Sequence, residues 1–172
     1  MLKFKTGDLL EATEGIIGHQ VNCYGVAGGL AAAVFEKWPE AESDYLQLTG
    51  RAMHGRQLLG LVQVTGQQKD GHIIANLYGQ LHPGADYRPK ALREALETLA
   101  ELASKIGKSV ALPYRLSCGI CGGDWNEVRR MIGEVMAGGD VECVIYVREE
   151  NMNETPAPEG LEELLKKNPE AE

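Results

Sequence analysis

Two glycine-rich segments, Asn22–Gly29 and Ser117–Gly123, constrain the fold of this chain more than any other feature of its sequence. Each follows an apolar run typical of a buried strand and precedes apolar residues at helical spacing. A strand that continues through such a loop into a helix is typical of α/β proteins, which bind ligands at the carboxyl ends of their strands. The loop N–H groups and the dipole of the following helix both favour an anion. The sequence therefore predicts an α/β fold with an anion-binding edge.

Strand-like and helix-like segments also alternate along the rest of the chain. Asp70–Gly71 separates two apolar runs and predicts a β-hairpin. Pro89 and Gly107 bound the strongest helix pattern, and Asp124 is the expected N-cap of the last helix, with Glu127 as its capping-box partner. We therefore predict a three-layer α/β/α domain with a mixed central sheet. The predicted strands cover residues 2–5, 15–22, 58–65, 72–78, 109–112 and 141–147, and the predicted helices begin near residues 30, 40, 89 and 125.

The domain organisation predicted from the sequence is a single domain followed by an acidic tail. The chain has 172 residues, which is enough for one domain with its own core. We place that domain at residues 1–148 and the tail at residues 149–172. The tail is rich in Pro, Asn and Glu and contains one short charged helix candidate, Leu161–Lys167. We expect it to be partly helical or disordered.

Composition narrows the classes of function. The net charge of −8 argues against a general nucleic-acid binder, which would show a basic surface. It leaves room for a small anionic ligand, because backbone N–H groups bind anions without basic side chains. No segment approaches the roughly 20 apolar residues needed to cross a bilayer, and the N-terminal sequence lacks the apolar core of a signal peptide. We therefore expect a cytoplasmic protein that does not contact membranes.

The pair Cys118 and Cys121 could indicate a redox or a metal site. In a thioredoxin-like motif both cysteines belong to the first helical turn, but here two glycines and Asp124 separate them from the helix. A structural zinc site needs four ligands, and the other two cysteines, Cys23 and Cys143, are isolated in the sequence. The third interpretation is that all four are free thiols that serve as small packing residues. Under that interpretation the glycines are the informative part of the segment.

Three motifs, taken together and in order, resemble the macrodomain family. Residues 6–9 (TGDL) resemble its opening signature, residues 19–31 (HQVNCYGVAGGLA) its first ligand loop, and residues 112–125 (LPYRLSCGICGGDW) its phosphate loop. The order of strand, hairpin and helix between them fits as well. The resemblance covers nearly the whole chain except the tail, from Leu2 to Val147.

This resemblance implies that the protein binds ADP-ribose on a mixed sheet between helices. By similarity to the family, Asp8 accepts the adenine amino group with Leu9 beside it, although a plain turn residue after Gly7 is the alternative for Asp8. Asn22 and the glycine loop after it would surround the distal ribose, and the second glycine loop would donate N–H groups to the diphosphate. The candidate ligand-binding residues are Gly7, Asp8, Leu9, Asn22, Gly25, Ala27, Gly28, Gly29, Leu30, Gln80, Ser117, Cys118, Gly119, Ile120, Cys121, Gly122 and Gly123.

The sequence departs from two hydrolytic subgroups of the family. Hydrolases with the Asn-Ala-Ala-Asn signature carry an acid in the first glycine loop, and residues 24–30 contain none. The subgroup resembling the terminal ADP-ribose glycohydrolase and the DNA-deribosylating antitoxins relies on a Lys and an Asp, where this chain has Gln80 and Cys121. Gln80 cannot act as a nucleophile or as an ordinary acid–base group. Both departures argue against Lys-assisted glycosidic cleavage.

The first loop is more similar to the ADP-ribose-1''-phosphate phosphatases, with His19 ahead of Asn22 and a Trp-Pro-Glu run after the helix. His19 is a candidate general acid or phosphate contact, because the unperturbed pKa of histidine lies near neutrality. A buried histidine that is hydrogen-bonded at a strand end is the alternative. His82, in the loop after Gln80, is a second candidate to face the pocket.

Three hypotheses about function follow. The leading one is a phosphatase that removes the terminal phosphate of ADP-ribose-1''-phosphate, with His19 and Asn22 as catalytic residues and water as the nucleophile. The second is a reader that binds ADP-ribose without turnover. The third is an ADP-ribosyl hydrolase acting on modified protein or DNA. We expect a monomer that requires no metal or cofactor.

Overall fold

The computed structural model describes residues 1–152, and within them strands and helices alternate. The predicted tail helix over Leu161–Lys167 lies outside the described residues. None of the helices in residues 1–152 is long and apolar enough to cross a membrane. The strands are β1 (Leu2–Thr6), β2 (Ile16–Asn22), β3 (Val62–Thr65), β4 (Ile73–Gln80), β5 (Val110–Pro113) and β6 (Cys143–Val147), and the helices are α1 (Gly29–Lys37), α2 (Pro39–Arg51), α3 (Pro89–Ile106) and α4 (Trp125–Gly138).

The six strands form one mixed sheet in the order β1-β6-β5-β2-β4-β3. All neighbouring pairs are parallel except β3 and β4, which form the predicted antiparallel hairpin. Strand β3 starts four residues later than the predicted run from Leu58, because Gly55–Leu58 forms a 3-10 helix. The carboxyl ends of β1, β2, β4, β5 and β6 lie at one edge of the sheet, so the two glycine loops are brought to the same edge.

Helices cover both faces of the sheet. Apolar residues of α3 and α4 pack on one face with Ile16 and Leu77, and those of α1 and α2 pack on the other with Ile17 and Ile74. Because both faces are buried, the central strands are apolar without alternation, as expected for parallel strands in an α/β protein. Each fully buried Ile or Leu contributes about 1.5–3 kcal/mol. The predicted three-layer α/β/α arrangement is confirmed.

Helix α3 begins and ends, and helix α4 begins, where the sequence predicts. Helix α3 has Pro89 in its first turn and ends at Gly107, whose φ of 66° is left-handed. At the start of α4, the Asp124 side chain accepts a hydrogen bond from the N–H of Glu127 at 3.0 Å. An N-cap of this kind stabilises a helix by about 0.5–2 kcal/mol relative to Ala. The cap fixes where the glycine loop ends and the helix begins.

Candidate functional site

A cleft of about 360 Å³ opens at the carboxyl ends of the parallel strands. Its walls come from the turn after β1, the start of α1 and the segments after β5 and β6. Four of the predicted ligand-binding residues line it, together with residues that the sequence did not single out. The predicted residues are Asp8, Leu9, Gly29 and Leu30, and the others include Tyr114, Tyr146, Arg148 and Asn151. Tyr146 lies near the end of β6, and Tyr114, Arg148 and Asn151 lie in the segments after β5 and β6. Their place at the carboxyl ends of parallel strands is the signal in the sequence that could have identified them.

Asp8 has two roles in the structure. Its Oδ1 accepts a hydrogen bond from the N–H of Leu10 at 2.9 Å and so caps the 3-10 helix Leu9–Glu11. Its Oδ2 lies 3.9 Å from the guanidinium of Arg148, and the side chain is 41% exposed. The turn role considered for Asp8 is therefore present, and the same residue also lines the cleft. A carboxylate in this position can accept hydrogen bonds from an exocyclic amine.

The first glycine loop is held by the side-chain amide of Asn22. Its Oδ1 accepts hydrogen bonds from the N–H of Tyr24 at 3.0 Å and from the hydroxyl of Tyr45 at 2.9 Å, and its Nδ2 donates to the carbonyl of Val26 at 2.6 Å. Burial raises the pKa of Tyr45 to about 12, so this hydroxyl stays protonated. Asn22 therefore shapes the loop that contains Gly25, and its amide cannot transfer protons as an ordinary acid–base group.

The second glycine loop closes tightly on itself. Arg115 and Ser117 have φ values of 59° and 66°, a left-handed conformation that costs a non-glycine residue about 1–2 kcal/mol. The carbonyl of Ser117 accepts a hydrogen bond from the N–H of Gly123 at 2.9 Å. A Cβ at Gly123 would lie 2.7 Å from that carbonyl oxygen and 2.9 Å from the ring of Tyr87. Only glycine fits there, so the loop holds its backbone in a narrow range of shapes.

The cysteines of this loop are packing residues. Cys118 donates its S–H to the carbonyl of Leu116, and burial raises the pKa of its thiol to about 12. Cys121 is buried, with its Sγ 3.7 Å from the hydroxyl oxygen of Ser117. All four cysteines are free thiols, and Cys118 lacks the thiolate character that redox exchange or metal binding requires. Within residues 1–152, no group of three or more His, Cys, Asp or Glu is arranged to hold a metal ion.

The structure corrects the prediction that His19 is a general acid or phosphate contact. Its side chain is 0% exposed on the α1–α2 face of the sheet, edge-on to Phe35 at a ring distance of 5.2 Å. Its Nε2 donates to Oδ1 of Asn76 at 2.6 Å. Burial lowers the pKa of His19 to about 4, against a weaker opposing effect of the Asn76 hydrogen bond. His19 is therefore the buried, hydrogen-bonded histidine of the alternative interpretation, neutral at physiological pH and not among the residues that line the cleft.

His82 lies on the surface beside the first glycine loop. Its ring stacks on that of Tyr24, with centroids 5.1 Å apart and planes inclined by 15°. The backbone N–H of His82 donates to Oδ2 of Asp86 at 2.8 Å, which shapes the turn after β4. His82 is not among the residues that line the cleft, so the prediction that it faces the pocket is not confirmed. Its exposed ring packs against Tyr24 instead.

A chain of side-chain hydrogen bonds that the sequence did not reveal connects the second glycine loop to the sheet. The hydroxyl of Ser117 donates to Oε1 of Gln20 at 2.7 Å. Nε2 of Gln20 donates to Oε1 of Gln80 at 3.5 Å, and Nε2 of Gln80 donates to the carbonyl of Gly84 at 2.6 Å. Gln80, predicted as a ligand contact, is therefore engaged with the protein through both ends of its amide. Gln20 and Ser117 are too far apart in the sequence for any local pattern to connect them.

Known proteins resemble this chain over most of its length. Residues 19–132 match the family described as Macro domain. The curated DNA ADP-ribosyl glycohydrolase of Mycobacterium tuberculosis is 30% identical over 151 residues, which cover 85% of this chain and 42% of that protein. The chain thus spans less than half the length of that relative.

Solved structures resemble it over the same region. The macrodomain of Mycobacterium tuberculosis DarG is 29% identical with a TM-score of 0.75, over 85% of this chain and 97% of that one. The macrodomain of Thermus aquaticus DarG is 28% identical with a TM-score of 0.74, over 86% of this chain and 98% of that one. Both likenesses extend over nearly the whole of the solved domains.

Proposed function

The chain belongs to the Macro domain family, and on that premise we propose that its cleft binds ADP-ribose. One observation carries the proposal: the cleft, which Asp8 and Gly29 line, lies at the same edge of the sheet as both glycine loops. A carboxylate suits the adenine amino group, and loops rich in glycine suit a diphosphate. The α1 and α4 helices begin directly after the loops, so their dipoles favour the same negative charge. Side-chain cations are not needed for such binding, which fits a net charge of −8.

Calorimetric titration with ADP-ribose tests this proposal, with AMP and ribose-5-phosphate as partial ligands. We expect saturable binding of ADP-ribose and weaker binding of either half, because each half reaches only part of the site. Asp8→Asn should weaken the binding of ADP-ribose and AMP by a similar factor and leave that of ribose-5-phosphate unchanged, since the carboxylate serves the adenine. A titration with no heat of binding and no thermal stabilisation at millimolar ADP-ribose would disprove the proposal.

A second candidate function is hydrolysis of ADP-ribosyl groups attached to DNA. Its support is the similarity to a DNA ADP-ribosyl glycohydrolase and to two DarG macrodomains. In this chain Gln80 and Cys121 stand where the resembling subgroup carries Lys and Asp. The Gln80 amide cannot transfer protons as an ordinary acid–base group, and a thiol replaces the carboxylate at Cys121, so such an enzyme would depend on the loop N–H groups to stabilise negative charge and on water as the nucleophile. We therefore propose a slow hydrolase rather than a fast one.

The phosphatase activity predicted from the first loop has less support, because His19 is not available as its acid.

One set of assays separates the hydrolase, the phosphatase and the reader. The purified protein is incubated with ADP-ribosylated DNA, with an ADP-ribosylated protein and with ADP-ribose-1''-phosphate, and released ADP-ribose and phosphate are quantified. Release of ADP-ribose from DNA supports the hydrolase, and release of phosphate supports the phosphatase. Tight binding without release from any substrate assigns the protein as a reader.

A further inference from the structure

Ser117 occupies an unfavourable backbone conformation at the entrance to the second glycine loop. Its φ of 66° lies in the left-handed region, which glycine adopts readily and serine does not. Its carbonyl receives the N–H of Gly123, the bond that closes the loop. Strained residues of this kind persist only when the surrounding structure holds them. The conformation of Ser117 therefore needs a source of stabilisation outside the loop.

Gln20 supplies a contact that can hold Ser117 in place. It lies on β2, a central strand of the sheet, and its Oε1 accepts the Ser117 hydroxyl at 2.7 Å. The hydroxyl of Ser117 is buried together with its residue, which is 7% exposed. A buried hydrogen bond of good geometry is costly to break, because the groups it joins would be left without partners. The side chain of Gln20 thus connects a strained loop residue to a central strand of the sheet.

The amide of Gln20 has a defined orientation. Its Nε2 faces Oε1 of Gln80, whose own Nε2 donates to the carbonyl of Gly84, so each donor points away from Ser117. The neighbouring strand leaves room for this amide because residue 79 is a glycine. A Cβ at Gly79 would lie 2.6 Å from Oε1 of Gln20. The carbonyl oxygen of Gln20 is therefore the end of the amide that is presented to the loop.

We propose that Gln20 is a positioning residue that keeps Ser117 in its left-handed conformation and thereby holds the N–H groups of the Ser117–Gly123 loop in their anion-binding arrangement. Gln20 acts on the ligand through Ser117 and not by direct contact. This inference rests on the proposed binding of ADP-ribose, in which the same loop holds the diphosphate.

A double-mutant cycle with Gln20→Leu and Ser117→Gly tests the inference. Glycine adopts a φ of 66° without strain, so a loop with Ser117→Gly no longer depends on Gln20. We expect Gln20→Leu alone to weaken ADP-ribose binding roughly tenfold, which corresponds to about 1.4 kcal/mol. Added to Ser117→Gly, the same change should lower affinity by less than about twofold, whatever affinity the single glycine variant has. An equal loss in both backgrounds would overturn the inference.

Hydrogen exchange at the Gly123 N–H provides a measurement that does not depend on any ligand. This amide closes the loop onto Ser117, and its exchange should accelerate in Gln20→Leu but not when Gln20→Leu is added to Ser117→Gly. Gln63→Leu is the matched control, because Gln63 is a glutamine of the same sheet that bonds Asp44 and Tyr78 instead of the loop. It should leave Gly123 exchange unchanged even if it lowers the melting temperature.

The two measurements separate this inference from the proposed function. If the wild-type protein does not bind ADP-ribose but the Gly123 exchange follows the expected pattern, the proposal that ADP-ribose is the ligand is wrong and the positioning role of Gln20 stands. If ADP-ribose binds and Gly123 exchange is the same in wild type and Gln20→Leu, the positioning role is wrong and the binding function stands.

Discussion

The two glycine loops lie at the same edge of the sheet but are held there in different ways. The first loop is fastened by hydrogen bonds from Asn22, at its own start, and from Tyr45 on α2. The second is fastened by close packing at Gly123 and by the strained Ser117 that Gln20 supports. A hydrogen-bonded loop can lose one contact and keep most of its shape, whereas a sterically closed loop cannot admit one extra carbon atom. We therefore expect the second loop to be the more sensitive of the two to substitution.

The largest loss of ADP-ribose affinity is expected for Gly123→Ala in the second loop. The added Cβ would meet the Ser117 carbonyl at 2.7 Å and the Tyr87 ring at 2.9 Å, so the loop has to open. We expect ADP-ribose affinity to fall by about 100-fold or more, or about 2.7 kcal/mol, in calorimetric titrations. Gly50→Ala is the matched control, since nothing lies within 4 Å of the added carbon in α2. Near-normal affinity of Gly123→Ala would contradict the steric account of this loop.

The stability of the protein should depend on pH through His19, which lies on the strand that leads into the first loop. Because burial lowers its pKa to about 4, the native state holds His19 neutral while the unfolded chain protonates it near pH 6.5. This contribution to the free energy of unfolding is fully present above pH 6.5 and is lost as the pH falls towards 4. Each pH unit removes about 1.4 kcal/mol, so the total loss is about 3 kcal/mol.

Urea unfolding of wild type and His19→Leu at several pH values measures this contribution. Between pH 6.5 and 4 we expect the free energy of unfolding to fall less in His19→Leu than in the wild type, whatever the stability of the variant at neutral pH. His54→Leu, which removes an exposed histidine, should decline like the wild type. Parallel curves for wild type and His19→Leu would disprove the buried-neutral assignment.

A smaller loss of affinity is expected for Tyr45→Phe, which removes a hydroxyl that is hydrogen-bonded to the first loop. The lost hydroxyl bonds both the carbonyl and Oδ1 of Asn22, and a lost hydrogen bond of this kind costs about 1 kcal/mol. We expect affinity for ADP-ribose to fall by roughly fivefold, far less than for Gly123→Ala. Tyr78→Phe is the control, since Tyr78 is a buried tyrosine that bonds Gln63 instead of the loop. Equal losses of affinity in the two variants would show that the Tyr45 contact does not shape the loop.

The smallest effect is expected at Asp124, where the second loop passes into α4. Asp124→Ala removes the acceptor for the Glu127 N–H and should lower the free energy of unfolding by about 1 kcal/mol, with only a slight loss of ADP-ribose affinity. Asp124→Asn retains a capping oxygen and should restore most of the stability. Thermal unfolding compares the three proteins. If Asn and Ala destabilise equally, the cap is not the source of the effect.

Local sequence signals were sufficient to predict the fold. The Asp-Gly turn, the Pro89 and Gly107 helix ends and the Asp124 cap each act within a few residues, and each appears in the structure. The loops could be placed for the same reason, because a glycine run between a strand and a helix is a local feature. Such signals do not depend on which distant residues finally pack together.

The side-chain partners in the site could not be predicted in this way. Successive residues of a strand point to opposite faces, and β2 is buried on both, so its apolar pattern does not distinguish the face of His19 from that of Gln20. The sequence directed attention to His19, which lies in the core, and the adjacent Gln20 is the residue connected to the loop. The contact of Tyr45 with Asn22 likewise depends on how α2 packs on the sheet, which no local pattern records.

The space shared by Gln20 and Gly79 has a consequence for how this sequence can vary. Because the amide of Gln20 fills the volume that a side chain at position 79 would need, a residue larger than glycine at position 79 requires this amide to move. An alanine introduced at Gly79 would displace the Gln20 amide and would disturb the second loop without touching it. In a protein that diverges from this one, a larger residue at position 79 should therefore be accompanied by a shorter one at position 20 and by glycine at position 117.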